Sequence, residues 1–329
     1  MKNTKNKLSL ALAASFLLSL FSSCQMEDSN EIQPESNNVQ SKIPPPSLDI
    51  PLNITGADFY ENIPYDEYNR TKFDIFIPTA ETAQPKAIVI FVHGGGFVGG
   101  TKNIAYTNGY KNDIQYYINN NIAFATVNYR FKQDFPDLSE EQKVLSCMGD
   151  VKRCLQFIRK KASVFNLNKN KVGMYGASAG GGCSIWLGFK DDMADPNATD
   201  PVLKQSTRLQ AIGHINSQAS YSPSRVASIF ESIGCDIPDS EITVPELDLI
   251  DFMSTDDPDI FMLLDNIPAN NTEICENYLH SPLQTKALYD KANLIGLPNV
   301  TYIPYYPIGV DPKLPENESL AEFMKRQLE

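Results

Sequence analysis

Gly176-Ala177-Ser178-Ala179-Gly180 sets a hydroxyl between two residues without side chains, directly after the apolar stretch Val172 to Tyr175 and just before Gly181-Gly182. A strand running into a helix through such a turn holds its serine exposed on strained backbone, and flanking glycines let the two backbones pass closely. The chemistry that suits this placement is attack of Ser178 on an acyl carbon. The oxyanion that develops needs two backbone N–H donors. One falls to Ala179, the residue after the serine. The other falls to Gly94 or Gly95 in His93-Gly94-Gly95-Gly96-Phe97, which follows the continuous apolar run Ala87 to Val92. Glycine-rich strand-to-helix turns also cradle phosphates, so the assignment rests on the two motifs together.

With both motifs in place, the chain from about Asp58 onward resembles the α/β-hydrolase superfamily, and within it the esterases and lipases of the hormone-sensitive-lipase and carbohydrate-esterase type. Asn128-Tyr129-Arg130 is similar to the NYR carried by that group. The resemblance implies a serine, an acid and a histidine in that chain order, the histidine following the last strand. Here the sequence departs from the pattern. After the strand expected at Val300 to Ile303 it reads Tyr305-Tyr306-Pro307-Ile308-Gly309-Val310-Asp311, and no histidine follows.

Only three histidines exist. His93 belongs to the glycine loop and is expected to support it. His214 lies within an apolar strand and is expected to be a core or strand-end residue. His280 stands in Glu276-Asn277-Tyr278-Leu279-His280-Ser281-Pro282, on the loop that usually delivers the acid, and resembles the HSP or HHP of some secreted bacterial relatives. The expectation is an exchange of loops, with His280 as base and Asp311, Asp265 or Glu276 as the orienting carboxylate. The competing reading makes His280 a solvent-facing residue at a helix start. A triad is defined by geometry rather than chain order, so the exchange is physically permitted.

The elements that must position these groups alternate between strand and helix. Phe73 to Pro78 alternates as an early antiparallel strand, and Ile122 to Val127 reads as a buried strand. Val144 to Ile158 has apolar residues at helical spacing. Leu209 to Ile215 and Ile260 to Leu264 read as further strands, Pro282 to Leu294 as a helix capped by Ser281, and Ser319 to Leu328 as the closing helix. The predicted fold class is α/β: a mostly parallel sheet with helices on both faces and its site at the strands' carboxyl ends. The segment from about 221 to 254 lacks clean periodicity and is expected to form a small cap.

The chain opens with Lys2, Lys5 and Lys7, then the apolar run Leu8 to Phe21, then Ser22-Ser23-Cys24. That is a secretory signal, its apolar core too short to span a membrane comfortably. The cysteine after small residues resembles a bacterial lipobox, which implies lipidation of Cys24 and a membrane partner through the lipid, with the protein on the periplasmic side or the surface of the outer membrane. Gln25-Met26-Glu27-Asp28 resembles the surface-export signal of Bacteroidetes lipoproteins. Residues 25–55 are expected to be a tether, since Ser, Asn, Gln and Pro bury too little to offset the entropy of ordering. The remaining roughly 275 residues make one large domain, here residues 56–329.

Once Cys24 is lipidated, Cys147 and Cys154 lie two helical turns apart, roughly 10 Å, too far for a bridge. Cys235 and Cys275, both in predicted loops, are the candidate disulfide, against the alternative of free thiols. No cysteine and histidine cluster has metal-ligand spacing, and neither metal nor cofactor is expected. A net charge of -12 argues against nucleic acid as a partner. Two functions follow. The first is a carboxylesterase removing acetyl or feruloyl-type groups from carbohydrates outside the cytoplasm. The second is a degenerate hydrolase kept as a surface ligand-binding lipoprotein.

Overall fold

The computed structural model describes residues 43–264, 268–297, 300–303 and 318–329. In chain order these form β1 (Ala57–Pro64), β2 (Lys72–Pro78), β3 (Lys86–Val92), α1 (Asn108–Asn119), β4 (Ile122–Val127), α2 (Glu140–Lys160), β5 (Leu167–Ala177) and α3 (Ala179–Phe189). The second half adds β6 (Ala211–Ile215), α4 (Pro223–Phe230), β7 (Asp259–Leu263), α5 (Asn271–Glu276), α6 (Pro282–Ile295), β8 (Val300–Ile303) and α7 (Leu320–Leu328).

All eight strands join one sheet in the order β1-β2-β4-β3-β5-β6-β7-β8. β2 runs antiparallel to both its neighbours, and every pairing from β4 to β8 is parallel. Period-two alternation divides the central strands between two cores. Ile88, Ile90 and Val92 of β3 pack on one face with α2, α3 and α6, while Ala87, Val89 and Phe91 pack on the other with α1 and α7. Burial on both faces is why these strands read as unbroken apolar runs. It also explains β2, which the alternation of Phe73 to Pro78 suggests is half exposed: six of its seven residues are buried.

The pairing register levels the strand ends that matter. Val92 at the end of β3 lies beside Gly176, Ala177 at the end of β5 beside Ile215, and Ile215 beside Leu263. The loops leaving β3, β5 and β6 therefore rise from one edge, where open parallel sheets hold their ligands.

Local chemistry sets the helix ends. Ser139 and Gln142 form a reciprocal capping box on α2, Ser281 accepts from the Leu283 N–H at the start of α6, and Ser319 and Glu322 box α7. Residues 43–55, expected to end the tether, instead lie on the domain. Ile43 packs against the core, Ser47 bridges Phe59, and the Thr55 N–H donates to Gln115 at 3.0 Å. Segment 221–254 holds α4 and short 3-10 turns, pinned by Arg225 to Asp248 and Asp251.

Candidate active site

Ser178 occupies the single residue between β5 and α3, with φ 49° and ψ -120°. A side chain rarely adopts that conformation, and it persists only where the surroundings over-determine it. Three hydrogen bonds do so: the Ser178 N–H donates to Ile215 O at 2.9 Å, and Ser178 O accepts from the Gly182 N–H at 2.9 Å and from Ser217 Oγ at 2.8 Å. The flanking glycines are required by contact. A methyl on Gly176 would stand 2.4 Å from the Gly180 carbonyl carbon, and one on Gly180 only 2.1 Å from Val92 O. Gly182, which no motif demands, has the same reason: its methyl would meet Tyr221 Oη at 2.1 Å.

The glycine loop packs directly on this turn. A methyl on Gly94 would lie 3.3 Å from Ser178 Cβ and 2.8 Å from Ala177 O. Gly95, at φ 114°, folds the loop back, its carbonyl accepting from the Val98 and Gly99 N–H groups at 3.0 and 3.1 Å. Among the described residues neither the Gly94 nor the Gly95 N–H donates to a protein acceptor. His93 anchors the loop's start. Its ring stacks on Tyr129 with centroids 4.4 Å apart, and Nδ1 lies 2.7 Å from Gly94 O. A carbonyl only accepts, so the hydrogen is on Nδ1. Burial, the largest cause, lowers its pKa to about 4, keeping the ring neutral. Arg70 closes the loop's far end by donating to Tyr129 O and Gly100 O at 2.9 and 3.1 Å.

His280 lies in the 3-10 turn Tyr278–His280 between α5 and α6, and its Nε2 stands 2.8 Å from Ser178 Oγ. The structure thus brings together Ser178 and the one histidine on the acid-type loop, across 102 residues of chain. The ring is half-buried, and desolvation lowers its pKa from the ordinary value. Neutral imidazole accepts the Ser178 hydroxyl hydrogen through Nε2 and carries its own on Nδ1. His214 sits elsewhere. Fully buried within β6, it accepts from the Ser217 N–H at 3.4 Å, and desolvation holds its pKa near 3.

Of the three carboxylates named for the acid, Asp265 and Asp311 lie outside the described residues. Glu276 closes α5, faces solvent and makes no hydrogen bond to His280 among the described residues. Cys24 also lies outside them. Cys235 and Cys275 are joined in a disulfide that ties the segment after α4 to α5, while Cys147, Cys154 and Cys183 are buried thiols. Nothing in the sequence marks three further residues that the site uses. Ser217 holds the Ser178 carbonyl, Gln218 donates to Leu279 O at 2.7 Å, and Gln284 donates to Tyr278 O at 3.3 Å. The two glutamines stand among serines and a threonine that are buried with them, and only burial, which requires an amide to be hydrogen-bonded, sets them apart.

The fold is similar to that of several solved esterases. A truncated carbohydrate esterase from gut microbiota aligns over 78% of this chain and 90% of its own at TM-score 0.57 and 19% identity. A thermophilic esterase from the planctomycete Thermogutta terrifontis aligns over 84% and 91% at TM-score 0.55 and 15% identity. An acetyl ester-xyloside bifunctional hydrolase from Caldicellulosiruptor lactoaceticus aligns over 74% and 86% at TM-score 0.52 and 16% identity. These identities speak for the fold. No match was found among curated proteins. The BD-FAE family model matches residues 73–261, more than half of the chain and the part that holds the glycine loop and the Ser178 turn. The chain therefore belongs to the BD-FAE family, an esterase family of α/β-hydrolase type, and is a carboxylic ester hydrolase.

Proposed function

We propose that this is an extracytoplasmic, lipid-anchored serine carboxylesterase that removes acetyl or feruloyl-type groups from carbohydrates. The observation that carries the catalytic part is the 2.8 Å contact between Ser178 Oγ and His280 Nε2, made beside the Gly94 loop. It favours catalysis over a binding-only role, because it sets an imidazole within hydrogen-bond reach of the serine hydroxyl. The substrate class is supported by the carbohydrate esterase and the acetyl ester-xyloside hydrolase among the fold's neighbours. The anchor is supported by the signal-like run and Ser22-Ser23-Cys24.

In this mechanism His280 takes the Ser178 proton as Oγ attacks the ester carbonyl. The Ala179 N–H and that of Gly94 or Gly95 hold the oxyanion. Collapse expels the sugar hydroxyl, which receives the proton from His280. Water activated by the same imidazole then releases the acid and frees Ser178. Asp265 and Asp311 are the carboxylates that the sequence leaves for orienting Nδ1.

Acetylated xylan, methyl ferulate and an aryl acetate serve as substrates, with a fluorescent fluorophosphonate as probe of the nucleophile. Ser178→Ala and His280→Ala should each lower turnover by at least about 10³-fold, and the double variant should be no worse than either. Of Asp265→Asn and Asp311→Asn, only the true partner should cost about 10⁴-fold. Fluorophosphonate labelling that persists in Ser178→Ala would overturn the mechanism.

A further inference from the structure

A hydrogen bond between serine and imidazole needs both backbones held at fixed separation, yet His280 lies in a short turn with no strand to position it. The loop leaving β6 supplies the connection. Ser217 donates to Ser178 O at 2.8 Å, so this loop grips the nucleophile's backbone. The next residue, Gln218, is 3% exposed and donates through Nε2 to Leu279 O at 2.7 Å. The one after, Ala219, gives its N–H to Gln284 Oε1 at 3.0 Å, and Gln284 in turn donates to Tyr278 O at 3.3 Å. Gln284 is fully buried. Both amides are fixed in orientation because a backbone carbonyl only accepts.

Three consecutive residues therefore hold Ser178 on one side and the two carbonyls immediately before His280 on the other. We propose that Ser217-Gln218-Ala219 and Gln284 form a clamp that sets the distance between Ser178 and His280, making Gln218 and Gln284 positioning residues for the esterase reaction. The clamp rests on the catalytic reading of Ser178 and His280. Its effect is on geometry rather than affinity, since neither amide supplies a group to the reacting atoms. A displacement of about 1 Å in a base costs up to about 100-fold in rate. Loosening the turn also admits water to the half-buried imidazole and relieves the desolvation that lowers its pKa.

The test is steady-state kinetics on an aryl acetate from pH 4.5 to 8.5, with wild type, Ser178→Ala, His280→Ala, Gln218→Met and Gln284→Met, each checked for folding by its thermal transition. Both methionine variants should lose about 10- to 100-fold in kcat with KM within about twofold. The midpoint of their acid limb should rise toward 6.5, the value of an unburied imidazole. Combined with His280→Ala, neither should cost anything more. Gln218→Met breaks a single hydrogen bond, and it decides the matter alone if Gln284→Met does not fold. Wild-type kcat in the folded variants, a loss confined to KM, or an undiminished further loss in the His280→Ala background overturns the clamp. An inactive wild type, or a Ser178→Ala form as active as wild type, overturns the esterase mechanism and the clamp with it.

Discussion

Lowering the pH from 8 to 5 should destabilise this protein through two histidines that do no chemistry. In the unfolded chain an imidazole titrates near 6.5. In the folded protein burial depresses His93 to about 4 and His214 to about 3. Below pH 6.5 the unfolded chain therefore takes up protons that the folded chain refuses, and stability falls with pH until each folded value is reached. Each group contributes about 1.4 kcal/mol per pH unit in that window. At pH 5 that amounts to about 2 kcal/mol for each, or about 4 kcal/mol together. Half-buried His280 shifts in the same direction and adds to the loss. Urea unfolding at pH 8, 6 and 5 measures the slope, and His214→Asn isolates one contribution while leaving an acceptor for the Ser217 N–H. The variant should lose about 2 kcal/mol less than wild type between pH 6.5 and pH 5. Parallel pH profiles for the two proteins would refute the reasoning.

Gly180→Ala should cost about 3 kcal/mol or more, because its methyl meets the Val92 and His93 carbonyl oxygens at 2.1 and 2.6 Å and backbone cannot yield; an unchanged thermal midpoint would contradict this. Removing the disulfide as Cys235→Ser/Cys275→Ser should cost about 4 kcal/mol in the chain-entropy picture for a separation of 40 residues. The enclosed segment contains β7, so the loss should appear in the global guanidinium transition, and one below about 1 kcal/mol would speak against that account. On the proposed lipid anchor, Cys24→Ser should move the protein from the membrane fraction to the soluble one, since acyl chains on Cys24 would supply the binding; unchanged sedimentation would overturn the anchor.

The elements legible in advance are those whose burial is decided by apolar runs. β3 and β4 announce themselves by continuous hydrophobic stretches, and α6 and α7 by their serine caps. The residues that escape are those whose placement depends on partners far along the chain. β1 is an edge strand ending in proline, with exposed charged and polar residues between its buried Ala57, Phe59 and Ile63, and it gains its place through partners at β2 and Ser47. α1 begins Asn108-Gly109, a pair that reads as a turn, and among its described residues Ile114, Tyr117 and Ile118 are the buried ones, set among polar neighbours. The Ser178 turn and the glycine loop are local motifs and so are readable. His280 is readable because only three histidines exist and the other two sit in the glycine loop and an apolar strand. The glutamines that hold its turn carry no local pattern at all. Their partners are backbone carbonyls, which any sequence would provide.

The 102 residues between Ser178 and His280 also order events in time. A chain made from its amino terminus releases β3, β5 and Ser178 well before β6, segment 221–254 and β7 have emerged, and the serine turn itself waits for its bonds to Ile215 and Ser217. Non-local pairings of this kind form late, because the intervening chain must first be brought together. Through that interval the serine is an ordinary alcohol with no imidazole within reach. With His280 as the proposed base, reactivity arrives only with the last third of the molecule, so an incomplete chain carries Ser178 as an inert passenger.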